Sequence, residues 1–489
     1  MKTAIVIGAG IGGLGAAVRL AKAGYDVTVF EANNFVGGKI NSKQLGPYRF
    51  DMGPSVFTGP NYVKELYDLC GKDFSTFKYK KLHETFRYFF SDGHQFTLKS
   101  TTEDVIETIS AELGEDKKVV ESYLKKAKKN YQLIAPLFIE SSLHKWSHLL
   151  NKNLVKALVN LPSYKLNSTM DNENGAAFKN KKTVQLMNRF ASYNGSSPFE
   201  TPAMLNMISH LELNEGAYLP EGGMVDIANK VHELAVACGV KFIFNSKVDE
   251  IIVENKKASG VRIGQEVFYS DVVFSNMDVA FTYSKLLPNQ YQPKKILQQE
   301  KSSSAVVFYL GVKKQFPQLG VHNIFFAEDY KEEYNHIFNK KEIYQDPTIY
   351  LNITSKEIKS DAPEDGENWF LMINAPINVG QDWDAYTKTL RKLMVEKVSA
   401  VLGEDVNQYI EVEEVMNPVL IEKWYSGMQG SIYGNSSNSK FAAFYRHANF
   451  SKKIKGLYFV GVTVHPGGGI PLALNSAKIA VRCLQESKK

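Results

Sequence analysis

Hydrophobic and polar positions divide the first thirty residues into three elements. Thr3-Ala4-Ile5-Val6-Ile7 is a short unbroken apolar run, the pattern of a parallel strand buried on both faces. Leu14, Ala17, Val18 and Ala21 then recur at helical spacing, and Gly24 closes that helix. Asp26-Val27-Thr28-Val29-Phe30 forms a second strand that ends at Glu31. Strand, helix, strand predicts a βαβ unit. The block from 222 to 276 reads as another piece of the same domain. Gly222-Gly223 open a helix carried by Val225, Ile227, Ala228 and Val231, and VKFIFNSKVDEIIVENKKASGVRI gives strands separated by turn residues. DVVFSNMD, Asp271 to Asp278, reads as the strand leaving this block. Near the end, Leu457 to Gly461 reads as a last strand beside the first, and Pro471 suits the first position of a closing helix.

These patterns predict an α/β fold with a discontinuous Rossmann-like domain over 1–77, 216–279 and 421–489. A mixed α+β domain occupies 78–215 and 280–420, with Ala305–Val312 and Thr348–Ser355 as strands. Residues 120–166 stand apart: lysines outnumber acids and alternate with Leu, Ile, Phe and Trp at helical intervals. That pattern fits surface helices packed on the domain, or a basic amphipathic region lying in a bilayer interface. No run reaches the ~18 apolar residues a spanning helix needs. Arg19 and several glycines interrupt the N-terminal apolar stretch, so no signal peptide is expected.

Composition adds bounds. A chain of 489 residues exceeds one ordinary core and predicts two or three units. Its 25 tyrosines and 29 phenylalanines suffice to line a large apolar cavity. The net charge of +6 suits an anionic partner such as lipid, but no basic stripe interleaves with stacking aromatics, so no nucleic-acid partner is expected. The 3 cysteines, Cys70, Cys238 and Cys483, are scattered without a CxxC, which points to a reducing, cytoplasmic setting. His144 and His148 are spaced to share a helix face, but no third ligand lies near them, and no metal is predicted.

The candidate chemistry begins in the first turn. Gly8-Ala9-Gly10-Ile11-Gly12-Gly13 carries G-x-G-x-x-G between strand and helix. Gly8 permits the tight turn, Gly10 admits a pyrophosphate to the backbone, and Gly13 lets helix and strand pack closely. The helix N-terminus, through Ile11 and Gly12, offers free N–H groups to phosphate. Glu31, followed by Ala32, stands where it can accept from ribose hydroxyls, and its charge argues against a 2′-phosphate. A second glycine pair, Gly37-Gly38, followed by Lys39, wraps a cofactor longer than NAD. FAD is therefore the expected cofactor.

Five segments together resemble the bacterial carotenoid desaturase family, whose best-known members are phytoene desaturases. They are the opening GAGIGGLGAAVRLAKAGYDVTVFEANNFVGGK, RFDMGPSVFTGP (49–60), YNGSSPFETPA (193–203), AYLPEGGM (217–224) and the closing FVGVTVHPGGGIPLALNSAKIA. They run in the family's order from residue 3 to residue 480. The resemblance implies a flavin fold of the flavin amine oxidase/carotenoid desaturase type, in which the chain's end returns to the cofactor. It places Gly53, Pro54 and Ser55, the backbone of Val248, and Gly461, Gly469, Ile470, Pro471 and Leu472 at FAD. The N–H groups near Ile470 and Leu472 then stabilise the reduced, anionic flavin.

The implied activity is FAD-dependent desaturation of a long apolar carotenoid taken from a membrane surface by a peripherally associated enzyme. The closing motif is closer to the hydroxycarotenoid 3,4-desaturase branch; phytoene or dehydrosqualene-type desaturation is the alternative within the family. The electron acceptor, oxygen or a quinone, stays open. Hydride loss from an allylic carbon acidifies the neighbouring proton, so orientation carries most of the catalysis and only a weak base is needed. His210 and Glu212, in SHLELNEG, are the candidates for that base or for a polar anchor. His465 reads as a brace for its turn. A flavin amine oxidase, a redox-neutral carotenoid isomerase and a non-enzymatic lipid-binding escort are the rival readings.

Overall fold

The computed structural model describes residues 1–149, 152–439 and 442–487. β1 (Lys2–Ile7), α1 (Ile11–Lys22) and β2 (Tyr25–Phe30) form the βαβ unit at the head of the chain. β1 lies inside a parallel five-stranded sheet ordered Leu457–Phe459, Val272–Ser275, β1, β2, Lys241–Ile243. Head, middle and tail thus share one sheet. The last strand does not lie beside the first: both edges of β1 are taken, by β2 and by Val272–Ser275, so Leu457–Phe459 adds outside the latter. Ala4 to Ile7 are buried, as an unbroken apolar run in an interior parallel strand requires. α1, the helix Val225–Ala237 and the terminal helix Ile470–Glu486 share one apolar core on this sheet.

A second sheet of seven strands runs in the order Ile410–Met416, Ser304–Val312, Glu367–Ala375, Ile349–Ile353, His322–Phe325, Glu84–Phe89, Gln95–Lys99. Ser304–Val312, paired on both edges, is buried along all 9 residues. The hairpin Ser42–Leu45/Tyr48–Asp51 joins the two units: Phe50 packs edge-on against Tyr309 at 5.8 Å.

Helices cover the second sheet's end. The lysine-rich helix Lys117–Ile134 buries Val120, Leu124, Ala127 and Ile134 along one stripe and exposes Lys125, Lys126, Lys128 and Lys129. It runs on into a π-helical turn, Ala135–Ile139. Helices Trp146–Leu149 and Lys152–Val159 follow; residues 150 and 151 of the 120–166 region lie outside the described residues. His144 and His148 share no helix, because His144 precedes the one containing His148. His148 is buried, with Nε2 2.8 Å from Glu486 of the terminal helix. No described helix is long and apolar enough to cross a membrane.

Candidate active site

At the carboxyl end of β1 the sheet order reverses, the position where open α/β sheets bind ligands. The first turn is built for close approach. A Cβ on Gly13 would run into the Gly8 carbonyl oxygen, and one on Gly12 would lie 2.7 Å from the backbone of Gly461. The head turn therefore rests directly on the tail of the chain. α1 has no side-chain cap and no acid in its first turn, so its leading N–H groups are left for an anion. Glu31 is buried: Oε2 accepts from Ala9 N at 2.7 Å, and Oε1 accepts from Asn33 N at 2.8 Å. Ala32 beside it is exposed. Ser246 N donates to Glu31 O at 2.8 Å, which seats the 244–248 loop and buried Val248 against the end of β2.

Gly37 N donates to Ala9 O at 2.8 Å, bringing Gly38 over Gly10. Lys39 Nζ donates to Ile432 O at 2.8 Å, and burial lowers its pKa to about 8 against the opposing field of Asp278. Gly53 packs on the Lys39 backbone, and Pro54 and Ser55 follow, half-buried. At the tail, Gly461 N donates to Ser476 Oγ at 2.7 Å. The terminal helix begins after Gly469 without a side-chain cap or a first-turn acid, and Pro471 spends no N–H there. A Cβ on Gly469 would meet nothing within 4 Å, so Gly469, with Ile470 and Leu472 close behind it, borders open space. Two uncapped helix N-termini at one seam, with a carboxylate at the end of β2, fit the pyrophosphate, flavin and ribose of FAD.

Several contributors escaped the sequence reading. Asn276 follows the strand Val272–Ser275, and its side chain lies between the loop of Gly10 and Gly12 and the backbone of Gly461. Its position just past an interior strand beside β1 was the available signal. Arg446 is buried against Gly467 and donates to the backbone carbonyls of Tyr433 at 3.2 Å and Asn435 at 2.9 Å. Burial lowers its pKa to about 10. Lys301 is also buried, with Nζ on Leu297 O and Asn435 Oδ1. Asp278 is the buried acid whose field reaches both Lys39 and Lys301, and burial raises its pKa. Of these cations, Arg446 is the one that meets the 465–469 turn directly, at Gly467.

The candidate bases, Glu212 and His210, are both buried. Glu212 is buried and both oxygens are engaged, one by Arg189 and one by the Tyr193 hydroxyl. Arg189 also donates to Tyr88 Oη at 2.7 Å and lies over the Phe86 ring at 4.4 Å. This is a closed buried ion pair, and Arg189 is its missing half in the sequence. His210 is buried against the Tyr131 ring at 5.3 Å, with Nε2 3.4 Å from Glu215 and Nδ1 without a partner. His465 Nε2 donates to Ser141 O at 2.8 Å, and burial lowers its pKa to about 3, so a neutral ring braces the turn.

Fold and site together define a two-unit flavin oxidoreductase. The chain belongs to the family described as flavin containing amine oxidoreductase, whose profile it matches over residues 11–485. It is 47% identical over 479 residues, 98% of both chains, to a 1-hydroxycarotenoid 3,4-desaturase of Flavobacterium sp. (strain P99-3). It is 32% identical over 484 residues, 98% of this chain and 97% of the relative, to a 4,4'-diaponeurosporene oxygenase of Staphylococcus aureus (strain MSSA476). The structure of a cyclohexylamine oxidase from Brevibacterium oxydans IH-35A superposes with a TM-score of 0.62 at 14% identity, covering 100% of both chains, which shows the shared fold.

Proposed function

We propose that this protein is an FAD-dependent carotenoid desaturase that introduces a C-3,4 double bond into an acyclic or monocyclic 1-hydroxycarotenoid. The observation that carries the reading is the full-length 47% identity to an enzyme of that name. Bound FAD supplies the acceptor for a hydride from an activated C–H bond. The protein's own groups do the rest. The α1 N-terminus, Gly10 to Gly13, Glu31 and Val248 would hold the dinucleotide. The uncapped terminal helix and Arg446 set a positive potential at the turn, which favours arrival of negative charge. Glu212 is closed off by Arg189, consistent with a proton already acidified by the neighbouring cation and needing no carboxylate base.

The experiment is incubation of purified holoprotein with a 1-hydroxycarotenoid and with its deoxy counterpart, with mass analysis of the products. Loss of two hydrogens, favoured by the hydroxylated compound, supports the reading. Desaturation of phytoene alone moves the substrate assignment to the other branch.

Delivery of so apolar a substrate motivates the second part of the proposal, peripheral membrane association through 120–166. Lys125, Lys126, Lys128 and Lys129 face outward, and Val155 and Val159 are 63% and 75% exposed. Flotation with anionic vesicles is expected to fall for a Val155→Glu/Val159→Glu variant; unchanged flotation removes this part. Oxygen and a quinone remain the acceptors to compare.

A further inference from the structure

Two of the three cysteines meet. Cys70 is the last residue of the helix Asn61–Cys70, and Cys238 caps the end of the helix Val225–Ala237. They lie 168 positions apart in the chain, yet their sulfurs stand 3.3 Å from each other, and both are free thiols. Each is half-buried at the edge of the core that these two helices share with α1. The chain turns away directly after each one. Gly71 and Gly239 take positive φ, 67° and 85°, and a Cβ on either would meet nothing within 4 Å. Open space therefore lies beside both thiols, and a small oxidant can approach. Cys483, by contrast, is 1% exposed within the terminal helix.

Two small apolar side chains would fill this corner equally well; two thiols add a reaction. Closing from 3.3 Å to the ~2.0 Å of a sulfur–sulfur bond takes about 1 Å of movement, and both cysteines stand at helix ends, the parts of a helix that fray. Burial and its partner hold the Cys70 thiol up, with the ammonium groups of Lys22 and Lys72 pulling against them. The attack therefore falls to Cys238, and Cys70 resolves it. The Cys238 sulfur takes one oxygen of hydrogen peroxide, the O–O bond breaks, and the other oxygen leaves as water with the thiol proton, giving a sulfenic acid. The Cys70 sulfur then attacks the Cys238 sulfur, the S–O bond breaks, and a second water leaves with the Cys70 proton. Two thiols lose two electrons and two protons, and one peroxide becomes two waters. Hydrogen peroxide is the product whenever oxygen takes two electrons, and oxygen is one of the acceptors left to compare.

The two helices so joined lie under the cofactor cradle. Ala228, on the helix Val225–Ala237, sits where a Cβ on Gly37 would reach. Glu65, on the helix Asn61–Cys70, pairs with Arg19 of α1 at 3.0 Å and with Lys478 of the terminal helix at 3.1 Å. A bond between their ends closes a long loop of chain, which restricts the unfolded state more than a short loop does. In a reducing compartment such bonds are transient and sense oxidant, which suits a pair that is open at rest.

We propose that Cys70 and Cys238 are a reversible oxidation site, closed by peroxide and reopened by thiol reductants, and that closure locks the cofactor unit. The test adds hydrogen peroxide in stepwise equivalents to reduced holoprotein, alkylates the remaining thiols after denaturation, and maps the products by mass. The expected product has lost two hydrogens, holds Cys70 and Cys238 in one cross-linked peptide pair, leaves Cys483 alkylated, and returns to three thiols with dithiothreitol. Its thermal unfolding midpoint should lie at least about 3 °C above that of the reduced holoprotein. Cys70→Ser should stop at a Cys238 sulfenic acid, captured by dimedone, with no rise in midpoint. The wild-type cross-link and its reversal decide the site even if that variant folds poorly. Thiols that stay alkylatable, or that reach sulfinic acid without a cross-link, overturn the site. A cross-link that forms without raising the midpoint overturns the lock.

Discussion

Substituting Glu212 by Gln separates a structural acid from a catalytic one. Glu212 and Arg189 have side chains 1% and 5% exposed, so neither charge can recover its hydration when the other is removed. Glu212→Gln keeps the shape but leaves the guanidinium buried beside a neutral amide and weakens the grip on Tyr193. Breaking one side of such a buried pair costs about 3–5 kcal/mol. Replacing both partners with apolar residues of similar volume, Arg189→Met with Glu212→Leu, is expected to recover most of that loss, because the unpaired charge is then absent. Equilibrium urea unfolding of the two single variants and the double variant measures the cycle, with FAD content and turnover recorded in parallel. The reasoning is refuted if Glu212→Gln unfolds like the wild type and retains FAD while turnover collapses. That outcome makes Glu212 the base.

Three further outcomes follow from the cofactor seam. Gly13→Val drives a side chain into the Gly8 carbonyl; overpacking of this kind costs about 1–3 kcal/mol, and FAD content after purification should fall. Arg446→Gln removes a buried cation from the turn, so the two-electron potential of the bound flavin should drop by about 30 mV for each ~1.4 kcal/mol of lost stabilisation; an unchanged or higher potential counts against the electrostatic role. Lys39 has a folded pKa of about 8, below its ordinary 10.5, so between these values the unfolded chain binds more protons. The stability of the apoprotein should therefore gain a contribution as pH rises across that window, and Lys39→Met should abolish it in pH-dependent unfolding.

The cofactor cradle was the most legible part of the molecule, because its chemistry is written in local order. A glycine turn between a strand and a helix, an acid at the next strand's end, and a glycine turn before a closing helix each act within a few residues. What the sequence could not show is what meets across distance. Arg189 lies 23 residues from Glu212, and nothing in SHLELNEG announces that its carboxylate is already taken. Asn276 and Arg446 gain meaning only when their strands and turns converge on the 461–469 segment. Cys70 and Cys238 read as unrelated, yet their sulfurs stand 3.3 Å apart at the ends of two neighbouring helices, where burial and its partner push the Cys70 thiol up to about 12. The position of the last strand failed for a related reason: pairing order depends on which edges are free, and local pattern does not report that.

The central claim is that this chain holds FAD and reduces it with electrons taken from a carotenoid C–H bond. Anaerobic titration of the purified holoprotein with a 1-hydroxycarotenoid, following the flavin absorbance together with the product, tests it most directly. The account predicts one flavin bleached for each new double bond formed. A product formed with no change in the flavin, or a folded protein that is colourless and takes up no added FAD, contradicts it.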